Sequence, residues 1–163
     1  MSAESELRKL TDERDIRDLA LRYGHAWLTF DDELMRSLWH RRAEPAAAPD
    51  LDADWVDALL PRWKRLGTTV LHVTSHLVAL DGDTARGRVY CLAQLDRGEG
   101  FVEQTIVYED DYVRRDGRWG FDLRRHLLWF GEQRANPLAQ EPARWPRSQV
   151  GRGTVPEDLT AFP

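Results

Sequence analysis

Apolar residues in the first third of the chain recur with a helical period. Ile16, Leu19, Ala20, Tyr23, Trp27 and Phe30 form one stripe about 100° wide on a helix of 3.6 residues per turn. His25 lies opposite that stripe, facing water. Thr11 followed by Asp12 and Glu13 supplies a cap and first-turn acids. The helix is therefore expected to open near residue 11, behind a flexible segment, residues 1–10. Asp31 and Asp32 end it or cap a short second helix carrying Leu34, Met35, Leu38 and Trp39. Residues 41–54, with Pro45 and the run Ala46-Ala47-Ala48-Pro49, read as a loop. Asp54 is placed to cap a third segment with Trp55, Leu59 and Trp63 inward, which Pro61 divides into short pieces.

Beyond residue 67 the period changes to two. Segments 68–80, 84–95, 101–115 and 118–132 are separated by Asp81-Gly82-Asp83, by residues 96–100 and by Asp116-Gly117. These are hairpin turn signals, so the pattern predicts three successive hairpins. One α+β domain results, with helices packed against one face of an antiparallel meander. Residues 133–163 form a Pro/Gly/Arg-rich extension, in which Trp145 and Phe162 point to partial docking.

Strand parity nominates a concave face. Val70, His72, Thr74, His76 and Val78 share one side of the first strand. Val89, Cys91 and Ala93, then Gln104, Ile106 and Tyr108, are the less charged sides of the next two. On the last strand Arg124, His126, Leu128 and Phe130 share a face, and Trp119, Phe121 and Leu123 have the opposite parity. A β-bulge between the two groups reconciles them.

Composition narrows the partners. With 163 residues, 31% charged and 42% hydrophobic, the chain is one domain with room for a substantial core. The net charge of −5 and the scatter of basic residues argue against nucleic acid. No apolar run approaches the roughly 20 residues that span a membrane, and the N-terminus has no apolar signal core, so a cytoplasmic location is expected. Cys91 is the only cysteine, which excludes an internal disulfide and a Cys-based zinc site. Its apolar neighbours and lack of an adjacent base argue against a nucleophile. His72 and His76 on a strand lie about 13 Å apart, too far to share a metal ion. Neither metal nor cofactor is expected.

The order of elements, together with particular residues, resembles the SnoaL-like branch of the NTF2-like superfamily across residues 11–132. The carrying pieces are Ile16-Arg17-Asp18-Leu19 with Arg22-Tyr23, and His72-Val73-Thr74-Ser75-His76 leading into Leu80-Asp81-Gly82-Asp83-Thr84-Ala85. Tyr90-Cys91-Leu92-Ala93, Tyr112-Val113-Arg114-Arg115-Asp116-Gly117-Arg118-Trp119 and Arg124-Arg125-His126 complete them. The resemblance implies a cone with a pocket between a curved sheet and the long first helix. It also implies a choice among dehydratases, dehydrohalogenases, isomerases, cyclases and non-catalytic binders. The family usually adds a short strand pair after the second helix, where this chain has its Ala/Pro-rich loop.

In catalytic members a histidine at the His72 position abstracts a proton, oriented by an aspartate of the first helix. Aligned without gaps from Ile16, that aspartate position holds Leu28, and Asp31 is the nearest substitute, or simply a helix cap. Arg124 matches a pocket arginine suited to a developing enolate or a leaving anion, or else pairs with Asp122 or Glu103. Tyr108 or His126 would assist it. The remaining expected lining is Tyr23, Trp27, Leu28, Val70, His76 and Val89, with Cys91, Gln104, Ile106 and Leu128. The leading expectation is a cofactor-independent enzyme that moves a proton on a hydrophobic, polyketide-like or aromatic molecule by elimination, isomerisation or cyclisation. The alternatives are a non-catalytic binding module and an accessory subunit of a larger enzyme. A homo-oligomer, dimer or trimer, formed through the outer sheet face, is expected.

Overall fold

The computed structural model describes residues 2–98, 100–144 and 146–153; Trp145 and Phe162 of the extension lie outside them. Helix α1 runs over Ala3–Thr29. It starts about two turns before Thr11, because Ser2 caps it by accepting the Ser5 N–H at 3.2 Å. The flexible segment expected before residue 11 is thus helical from residue 3. Thr11 donates its hydroxyl to the Leu7 carbonyl. Asp12 accepts from Arg114 at 2.6 Å and from the Trp119 indole at 2.9 Å, tying α1 to the sheet.

Phe30 ends α1 in the left-handed conformation. Asp31 then caps α2 (Asp32–Ser37) by accepting the Leu34 N–H at 2.9 Å. Asp52, not Asp54, caps α3 (Ala53–Leu59). After Pro61 the chain continues as the 3₁₀ turn Trp63–Leu66, so this region is divided as the proline predicts.

Strands β1 (Thr69–Asp81), β2 (Thr84–Asp96), β3 (Phe101–Arg115) and β4 (Arg118–Arg134) form one antiparallel sheet in the order β1-β2-β3-β4. Single bridges from Trp39 to Phe121 and from Leu51 to Arg124 lay the connecting loop along β4. Helix α1 packs across the inner face. It comes close to β1 because residue 24 is glycine: a Cβ there would stand 3.3 Å from the Leu71 carbonyl oxygen.

Three bulges set which side chains enter the cone, and the one at Trp129, near the end of β4, turns Phe130 to the outer face. On β1 the register skips between Val73 and Ser75, so Thr74 is the extra residue and parity inverts there. Leu71 and Val73 before it, and His76 and Val78 after it, are register partners of inward residues on β2. Val70, His72 and Thr74 face outward. On β4 the first extra residue is Asp122, which leaves Trp119 and Phe121 on the same inner side as Arg124 and His126. That bulge is the one the conflicting parities called for. No helix of the described residues is long and apolar enough to cross a membrane.

Candidate active site

A cavity of about 400 Å³ opens between the C-terminal half of α1, α3 and the end of the sheet remote from the Asp81–Thr84 turn, within the size range of small-molecule sites. Trp27, Trp55, Leu51, Leu71, Leu95 and Ile106 supply its apolar walls. Its polar groups are the Tyr23 and Tyr108 hydroxyls, His126, Gln104, Thr69 and Arg97. None of the described residues lining it is acidic.

Beneath this cavity lies a closed polar network. Arg124 and Asp110 are 1% and 2% exposed and make a bidentate pair, with both N–H···O distances 2.7 Å. The guanidinium carbon sits 4.3, 4.2 and 4.3 Å from the ring centroids of Tyr23, Tyr108 and Phe121, a desolvated cation–π cluster. Burial opposes the charge on Arg124, but attraction and hydrogen bonds from Asp110 outweigh it and raise its pKa.

The Tyr112 hydroxyl donates to Asp110 at 2.6 Å and is 3.0 Å from His76 Nε2. With the tyrosine proton committed to the carboxylate, His76 Nε2–H donates to the Tyr112 oxygen. His76 Nδ1 is then an unprotonated, buried atom without a partner. Burial depresses the His76 pKa to about 4, and Arg124 and Arg17 push the same way against Asp110. Gly87 makes room for this contact: a Cβ there would lie 2.7 Å from the Tyr112 ring and 2.8 Å from His76 Nε2.

A stability prediction follows from that depressed value. Folded His76 resists a proton that the unfolded chain accepts near 6.5. Its contribution is therefore complete above about pH 6.5 and is lost as pH falls toward 4. His40 and His126 are shifted in the same direction, so the wild-type urea midpoint should drop across this window. His76→Gln should show a shallower drop, and equal slopes would refute the contribution of His76.

Of the residues expected from sequence, Tyr23, Trp27, Gln104, Ile106, Tyr108 and His126 line the cavity. Val89 and Cys91 face inward but are buried in the core below it; burial raises the Cys91 pKa to about 11, consistent with an inert thiol. Leu128 is on the inner side of β4, beyond the cavity and 52% exposed. Leu28 is half-buried and lines nothing. Four expectations need correction. His72 is exposed on the outer face, donating from Nε2 to Gln94 Oε1 at 3.2 Å, because the Thr74 bulge inverts the parity that aligned it with His76. Val70 is turned outward for the same reason. Asp31 is an exposed helix cap. Arg124 does face inward, but its partner is Asp110, not Asp122 or Glu103, and it lies under the tyrosines and off the cavity wall. The sequence reading missed Leu51, Thr69, Leu71, Leu95, Arg97 and Val102. Extending the β2 parity of Ala93 and Leu95 by one step reaches Arg97.

His126 and Tyr108 are register partners with ring centroids 5.3 Å apart. The His126 side chain is exposed at the edge of the cavity; partial desolvation and the Arg124 charge lower its pKa from 6.5, so its imidazole is neutral at physiological pH. Burial raises the pKa of both Tyr23 and Tyr108, which keeps their phenols protonated as donors. Among the described residues neither Tyr108 nor His126 has a hydrogen-bond partner, whereas the Tyr23 phenol has the Trp27 indole and the Arg124 guanidinium beside it as donors. A neutral base and two phenolic donors thus converge on an apolar cavity.

This fold, a long helix closing a curved four-stranded sheet over an inner cavity, is that of the NTF2-like cone. The chain belongs to the SnoaL-like domain family, whose model matches residues 8–125. Among solved structures it is similar to a type 2 hexachlorocyclohexane dehydrochlorinase (LinA), at 19% identity over 80% of this chain and 94% of that one, with a TM-score of 0.71. A LinA type 3 enzyme from Novosphingobium barchaimii matches at 20% identity over 80% and 95%, TM-score 0.69. A putative scytalone dehydratase from Novosphingobium aromaticivorans matches at 20% over 81% and 96%, TM-score 0.67. No curated protein matches the chain.

Proposed function

We propose that the protein is an enzyme that moves a proton to or from carbon on a hydrophobic small molecule, by elimination or isomerisation, using its own side chains. One observation carries this reading: a neutral imidazole, that of His126, and the Tyr108 phenol, both without a partner among the described residues, share a largely apolar cavity with the Tyr23 phenol. His126 takes the proton, and the Tyr108 and Tyr23 hydroxyls donate to the oxygen or leaving group where negative charge gathers. Arg124 acts through the rings it supports, since Asp110 already occupies its fork. Relatives whose printed names are dehydrochlorinase and dehydratase support the reaction class. Incubation in D₂O with benzo-fused cyclic ketones such as 2-tetralone tests it, with deuterium exchange at the α-carbon above the buffer rate expected.

A binding module is the second reading, favoured because none of the described residues lining the cavity is a carboxylate that could orient His126. Ligand recovered without deuterium would select it. We also infer association of copies through the outer sheet face. There Tyr90, Leu127, Trp129 and Phe130 form an apolar band, the last three 42%, 62% and 63% exposed. The ion pairs Arg88–Glu109 and Arg134–Glu103 flank it, so a two-fold-related copy meets both signs of charge. Sedimentation should show an oligomer that Trp129→Glu dissociates; a monomeric wild-type protein would refute this.

A further inference from the structure

Arg97 is the one permanently charged side chain lining the cavity among the described residues. It follows the last residue of β2, and Nη1 donates to the carbonyl oxygens of Leu66 and Asp96. Its Nε and Nη2 have no partner among the described residues. The Arg97 side chain remains exposed to solvent, and partial burial, offset in part by Asp96, lowers its pKa. Asp96 has Oδ1 engaged by the Gly98 N–H at 2.8 Å and by Asn136 Nδ2 at 2.7 Å.

A second, independent vacancy for a polar ligand atom lies at the same end of the sheet. Thr69 is 3% exposed, lines the cavity, and its Oγ1 has no hydrogen-bond partner among the described residues. Its register partner is Leu95, two residues before Arg97. An orphaned buried hydroxyl costs free energy that a ligand oxygen would recover. His126 and the phenols are at the other end: Tyr108 is six residues along β3 from Val102 at the mouth, about 20 Å of strand.

We propose that the cavity takes an amphipathic organic acid, its carboxylate on Arg97 at the mouth, an oxygen within reach of Thr69, and its apolar body between Trp27 and Trp55 toward Tyr108. This rests on the cavity being the ligand site. The planar guanidinium fork suits a carboxylate, and among the described residues the lining holds no acid to repel one.

Calorimetric titration with 1-naphthylacetic acid and with its methyl ester separates the charge from the apolar body. The acid should bind about tenfold tighter or more, and added salt should weaken the acid alone. Arg97→Gln should erase the preference and Arg97→Lys, which keeps the charge but not the fork, should keep only part of it, with circular dichroism confirming that both variants fold. Equal or tighter binding of the ester, or a preference that survives Arg97→Gln, overturns the proposal. If neither probe binds, both the proposal and the cavity as ligand site fall. If the acid preference holds but no ketone exchanges deuterium, the proposal stands and the proton-transfer reading alone is lost.

Discussion

Asp110→Ala is expected to destabilise the protein by about 3–5 kcal/mol, the cost of leaving a buried guanidinium without its counter-charge. The carboxylate holds more than Arg124. It accepts the Tyr112 hydroxyl as well, so its removal strips the Arg124 guanidinium and the Tyr112 hydroxyl of their shared acceptor in a low-dielectric interior. Chemical denaturation at pH 7 measures the loss. The double variant Asp110→Leu with Arg124→Met removes both charges and should recover much of that stability, because a buried pair contributes little net once desolvation is counted. A single variant that unfolds at the wild-type urea midpoint would show that the network is solvated and not sealed. Cavity and network are coupled through the rings: Tyr23 and Tyr108 lie against the guanidinium on one side and the cavity on the other. The double variant should therefore bind ligand less well than its stability implies.

The cone architecture was legible in the chain because its two periods are clean. The stripe from Ile16 to Phe30 and the turns at Asp81-Gly82-Asp83 and Asp116-Gly117 placed the long helix and the outer hairpins within a residue or two, except at the start of α1. There Thr11 and Asp12 carry the local chemistry of a cap, while Asp12 serves Arg114 and Trp119 more than 100 residues away. No local pattern reveals such a tie. Face assignment succeeded on β2 and β3, which are regular. On β4 it succeeded as far as Leu128, where apolar Trp119 and Phe121 disagreed in parity with Arg124 and His126 and so betrayed the bulge at Asp122; beyond that a further bulge at Trp129 turns Phe130, expected beside His126 and Leu128, to the outer face. On β1 the same device was silent. Residues on both sides of Thr74 are of mixed polarity, and no glycine marks the extra residue, so His72 and His76 looked equivalent when only His76 points inward. The cavity mouth was missed for a different reason. Thr69, Arg97 and Leu51 come from a strand start, a turn and a loop, and they converge only in three dimensions.

The exchange of His72 for His126 as the base is the claim on which the functional account turns. His126→Ala should lower the rate of α-carbon deuterium exchange by about 10²-fold or more, the usual contribution of a positioned general base. His72→Ala should leave it unchanged, since that ring is hydrogen-bonded to Gln94 on the outer face. Because the His126 pKa is depressed below 6.5, the base form persists to lower pH than an ordinary histidine allows. Wild-type exchange should accordingly hold through pH 6.5 and fall only below it. Tyr108→Phe should slow exchange less than loss of the base, as one of two donors is kept.

The most direct measurement is the exchange rate of 2-tetralone in D₂O by the wild type and the two histidine variants, followed by proton NMR at pH 7. Loss in His126→Ala with full activity in His72→Ala is the predicted result. Full activity in His126→Ala, or loss in His72→Ala, would contradict the account and return the chemistry to the opposite face of the sheet.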